Sequence, residues 1–123
     1  MKRLLVPLAA AAVCAAALPA TSPARSACVN LKMSKSTKSL IRAAHKKVDP
    51  DAIGPKRGSV YYGRCGNTFY ALASFKNPRT GYDDQPEGFR SRGTTAPWRD
   101  IGDNGCAKMP KRLLAIWSYD CPF

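Results

Sequence analysis

Four cysteines constrain this chain more than any other feature. Cys28, Cys65, Cys106 and Cys121 follow an N-terminal stretch that carries the fifth, Cys14. That stretch has the order of a secretory signal peptide. Lys2 and Arg3 come first, residues 4–18 are almost wholly apolar with Pro7 as the one interruption, and residues 19–24 are small or proline. Signal peptidase takes small side chains at the last and third-last positions of the peptide, and Ser22 and Ala24 meet that need. The expected organisation is a signal peptide over residues 1–24 and a single secreted domain over residues 25–123, with a start at Thr21 as the alternative. Cleavage removes Cys14 and leaves an even set in an oxidising compartment, which reads as two disulfides. Of the three possible pairings, Cys28–Cys65 with Cys106–Cys121 is favoured, because each bridge ties a terminal segment to the body.

Competing readings of the same residues fit less well. A lipoprotein signal wants a Leu-like residue three before its acceptor cysteine. Cys28 has Arg25 there and Cys14 has Ala11. The apolar stretch is shorter than the roughly 20 residues of a spanning helix, and no later segment is apolar enough to cross a membrane. Zinc needs close ligand pairs such as C-x-x-C, whereas the nearest later cysteines lie fifteen residues apart. No metal and no cofactor is expected.

The charge is lopsided. Of 20 Lys and Arg, removing Lys2 and Arg3 leaves 18 against eight acids, a net charge of +10 on the expected mature chain. Between Arg25 and Cys65 ten basic residues face only Asp49 and Asp51. Such an excess draws a protein towards an anionic extracellular polymer, a membrane surface or an acidic protein. No specific nucleic-acid recognition is expected outside a cell.

Helical periodicity runs over residues 34–48. Ser34 or Ser36 can cap its start. Met33, Thr37, Leu40 or Ile41, Ala44 and Val48 form one apolar face, and Lys35, Lys38, Arg42 and Lys46 form a basic stripe. Residues 59–64 and 68–76 are rich in β-formers and flank Cys65-Gly66-Asn67, a hairpin signature. In the second run Phe69, Ala71, Ala73 and Phe75 point one way and Tyr70 and Leu72 the other. The small Ala71 and Ala73 predict a helix packed closely on their face. Residues 89–92 and 98–101 read as two more short strands, and residues 109–117 as a short helix with an early proline. The predicted fold is α+β with two layers: an N-terminal amphipathic helix on a three- to four-stranded antiparallel meander, then a short C-terminal helix.

Catalytic constellations are sparse. His45 is the only histidine, and a lone His on a lysine-rich helix is expected at the surface. A small secreted hydrolase or nuclease would have to centre on it. Asp83, Asp84 and Glu87 share a predicted exposed loop over residues 82–88, without the enforced geometry that paired carboxylates need for glycoside cleavage. That loop also suits a protease inhibitor. Residues 100–105 resemble a calcium loop only faintly, because the acid spacing is wrong and Lys111 stands where a terminal Glu belongs. The remaining signal is basic and aromatic: Arg90 and Arg92 alternate onto one strand face, Arg99 lies nearby, and Trp98 offers a stacking platform for a bound anion. The expected function is that of a non-enzymatic binding protein.

Several motifs carry a resemblance. Cys65-Gly66 precedes Tyr70-Ala71-Leu72-Ala73, a later strand ends near Trp98, residues 102–105 form a Gly-rich turn, and Cys106, Pro110, Leu114 and Cys121 close the chain. Over residues 64–121 this pattern resembles a type of small exported actinobacterial protein of unknown function. The resemblance implies compartment and fold and carries over no active site.

Overall fold

A computed structural model describes residues 27–81 and 86–121, so the signal peptide expected over residues 1–24 lies outside the described residues. In chain order the elements are β1 (Cys28–Asn30), α1 (Lys35–Lys46), β2 (Tyr61–Cys65), β3 (Thr68–Ala73), β4 (Glu87–Ser91), β5 (Arg99–Gly102), a 3-10 helix (Asp103–Lys108) and α2 (Lys111–Ile116). The strands form one antiparallel sheet in sequence order, β1-β2-β3-β4-β5. The expected α+β class holds, but the sheet has five strands rather than three or four. The addition is β1, a three-residue edge strand too short to show alternation in sequence. Cys28 stands directly opposite Cys65 in the β1–β2 register, and a disulfide joins them. Cys106 pairs with Cys121 and ties down the C-terminal tail. Both pairings agree with those expected.

Helix α1 begins where the caps predict. The Ser34 hydroxyl accepts a hydrogen bond from the Thr37 N–H at 3.1 Å, satisfying one of the first-turn donors. The helix ends at Lys46, and Val48 beyond it is 66 % exposed. Its buried face is Thr37, Ile41, Ala44 and His45. Leu40 lies off that face and is 39 % exposed.

The sheet is covered on both faces, which makes three layers rather than the two expected. On one face Ile41 and Ala44 of α1 pack against Tyr62, Ala71, Ala73, Phe89 and Trp98. Ala71 and Ala73 are fully buried, and their small size lets the helix lie close, as the alternation predicts. On the other face Leu72 packs with Cys106, Met109, Leu113 and Trp117, joined by the half-buried Tyr61 and Tyr70. A strand face carrying Leu72 and two tyrosines is too apolar to leave in water, and the 3-10 helix and α2 supply its cover. The 3-10 helix meets β4 at Gly88 and Gly105. A Cβ on Gly88 would lie 2.6 Å from Gly105 Cα, so neither backbone tolerates a side chain there. Among the described residues no helix is long and apolar enough to cross a membrane.

Candidate anion-binding site

Strands β4 and β5 present different chemistry on their two faces, because successive side chains alternate. On the α2 side, Tyr70, Arg90 and Arg99 form one cross-strand row: Tyr70 stands opposite Arg90, and Arg90 opposite Arg99. The C-terminal segment covers only part of this face. What remains open is a cleft of about 510 Å³, lined by Thr68, Tyr70, Arg90, Arg92, Arg99 and Pro97 among others. The turn over residues 92–97 is held by Ser91. Its hydroxyl lies 2.7 Å from the Gly93 carbonyl and 3.2 Å from that of Ala96, and it accepts from the Gly93 N–H.

Three arginines therefore share one cleft. All three are exposed. Among the described residues none of them makes a salt bridge or a side-chain hydrogen bond. Like charges directly opposite on neighbouring strands are destabilising, so the placement of Arg90 opposite Arg99 is unfavourable by itself. Guanidinium groups bind planar or tetrahedral oxyanions bidentately, and a tyrosine ring in the same cleft offers a flat face to the rest of a ligand.

The seven basic residues singled out in the sequence do not converge. Arg90, Arg92 and Arg99 gather in the cleft, whereas Lys35, Lys38, Arg42 and Lys46 ride on α1 in the opposite layer. Arg42 is engaged structurally, since its Nε donates to the Gly54 carbonyl at 2.7 Å. Trp98 does not serve as the platform expected of it. It is 7 % exposed and packs in the core on the α1 side, 6.0 Å from the Tyr62 ring. Strand alternation turns it away from its neighbour Arg99. Tyr70 occupies the cleft instead, and its place opposite Arg90 depends on a β3–β4 register that local sequence does not state.

The α1 side of the same strands holds a second polar cluster. His45 is 2 % exposed rather than at the surface. Its Nδ1 lies 2.8 Å from Asp100 Oδ2, and its ring stacks on Phe75 at 4.1 Å between centroids. The imidazole is therefore enclosed in the core rather than open to solvent. Glu87 also departs from expectation. It opens β4 and is buried, not part of an exposed loop; Asp83 and Asp84 lie outside the described residues, as does most of the loop considered for protease docking. The Asp100 carboxyl is pulled in opposite directions. Burial raises its pKa, but hydrogen bonds from His45, Glu87 and the Gly102 N–H, with the His45 charge, hold it below the ordinary 3.8. Asp100 thus closes a turn with one oxygen and meets α1 with the other, and the faint calcium-loop pattern is a strand end leading into the 3-10 helix.

No family model, no curated protein and no solved structure matches the chain.

Proposed function

We propose that this chain is a secreted, disulfide-stabilised protein that binds an anionic extracellular partner through the Arg90–Arg92–Arg99 cleft. The observation that carries this reading is the placement of Arg90 directly opposite Arg99, with Arg92 in the same cleft and no acidic partner among the described residues. A fold does not gather three cations around an open cleft for its own stability. A phosphate, sulfate or carboxylate group in the cleft relieves their repulsion and accepts their donors. The net charge of +10 on the expected mature chain supplies long-range attraction to a polyanion. The export leader, the two bridges and the resemblance to small exported actinobacterial proteins support the extracellular setting. The basic stripe of α1 then acts as a diffuse second surface that raises local concentration without reading the ligand.

The reading is tested by retention on an immobilised sulfated or phosphorylated polymer. Elution at rising salt is expected, with Arg90→Gln/Arg99→Gln eluting well before Lys35→Gln/Lys46→Gln, although both variants lose the same charge. Equal elution of the two would show that net charge alone acts, and would overturn the cleft.

A further inference from the structure

The buried cluster beneath the cleft is independent of that reading. One ring nitrogen of His45, one carboxylate oxygen of Glu87 and one of Asp100 all lie within 4.8 Å of one another. They come from three elements, α1, β4 and β5, and converge in the core rather than at a surface where acidic groups gather without consequence. Each is enclosed: His45 is 2 % and Glu87 8 % exposed, and the Asp100 side chain is 3 % exposed. Phe75 and Phe89 pack around the imidazole.

Two carboxyls side by side in such a place cannot both stay ionised without compensating positive charge. Asp100 pairs with His45, which compensates its charge only when the imidazole is protonated. A neutral imidazole with two carboxylates is a nitrogen–oxygen donor set whose double negative charge a divalent ion cancels. The ligand types, one His and two acids, suit an ion of intermediate hardness such as zinc rather than calcium, which takes six to eight oxygens. The 2.8 Å between His45 Nδ1 and Asp100 Oδ2 is a hydrogen-bond separation, and two tetrahedral ligands with bonds of roughly 2.0–2.2 Å stand about 3.3–3.6 Å apart, so the pair must open by roughly 0.5–0.8 Å to share an ion.

We infer that His45, Glu87 and Asp100 form a buried structural site for one divalent transition-metal ion of the zinc class, which fastens α1 to β4 and β5. The ion enters as the chain folds, since the finished core encloses its ligands. It competes with protons held by the cluster, on the imidazole or between the carboxyls.

The experiment is to refold the protein under oxidising conditions with one equivalent of zinc or with EDTA, desalt it and measure bound metal and melting temperature. About one zinc per chain and a higher melting temperature than the EDTA sample are expected. Glu87→Gln keeps the shape and a donor towards Asp100, so it folds, but it should bind zinc more weakly by on the order of 10–100-fold or more. Cobalt substituted in the wild-type chain should give visible ligand-field bands that Glu87→Gln alters. If no metal survives desalting and zinc leaves the melting temperature unmoved, the cluster is closed by a proton and the inference fails. Equal zinc binding by Glu87→Gln and wild type would place the ion elsewhere and overturn it as well.

Discussion

His45 and Asp100 meet at 2.8 Å across 55 positions of sequence, and this contact joins α1 to the outer strand β5 inside the core. In metal-free protein the contact has a pH consequence. The Asp100 carboxyl is held below its ordinary value of 3.8 in the folded state, despite burial, by hydrogen bonds from His45, Glu87 and Gly102. A depressed folded pKa means that ionised Asp100 contributes stability above the unfolded pKa and loses it as pH falls through the folded one. Urea unfolding in EDTA should therefore show declining stability below about pH 4. Asp100→Asn should lower stability at pH 7 by about 1.5–3 kcal/mol, the range for a hydrogen bond to a charged group. It should also flatten the acid decline. An Asp100→Asn protein as stable as wild type at pH 7 would show that the contact is idle.

Gly88 lies against Gly105 with no room for a methyl group, since a Cβ at position 88 would sit 2.6 Å from Gly105 Cα. Gly88→Ala must push the 3-10 helix away from β4. Overpacking of this kind costs about 1–3 kcal/mol. Denaturant midpoints should register the loss, while Gly58→Ala, where a Cβ meets nothing within 4 Å but φ is +79°, reports backbone strain alone.

The Cys106–Cys121 bridge closes a loop with a sequence separation of 15 and holds the segment that covers the second sheet face. Replacing both cysteines with serine should cost about 3 kcal/mol on the loop-entropy estimate. Trp117 lies within this segment, packs against the sheet and is 9 % exposed, so its fluorescence should shift to the red at lower denaturant than in wild type.

The elements that could be read in advance were those whose signal is local. Ser34 announces α1, and Ala71 and Ala73 announce the helix that covers them. The two bridges follow from where the cysteines fall. The polar cluster could not be read in the same way, because its members are neighbours only through the sheet. His45 did carry one usable sign. It follows Thr37 and Ile41 at intervals of four, which places it on the buried face rather than among the lysines. Glu87 carried no such sign, since the acids preceding it mask the start of β4. Trp98 and Arg99 were grouped by adjacency in sequence, and strand alternation separates them onto opposite faces.

Arg90 and Arg99 stand opposite one another with like charge. Arg99→Gln should raise stability of the free protein by about 0.2–1 kcal/mol, the size of a cross-strand pair. Added salt should shrink the gain by screening the exposed charges. A site kept for binding behaves in this way, whereas a residue kept for stability loses on replacement.

The arginine cleft is tested most directly by titrating the chain over residues 25–123 with inorganic tripolyphosphate and following backbone amide shifts. Saturable shifts centred on Thr68, Tyr70, Arg90, Arg92 and Arg99 are predicted. The Arg90→Gln/Arg99→Gln protein should bind at least about tenfold more weakly, a loss of roughly 1.4 kcal/mol or more. Shifts that centre instead on Lys35, Lys38 and Lys46, or a double variant that binds as wild type does, would contradict the assignment of the cleft.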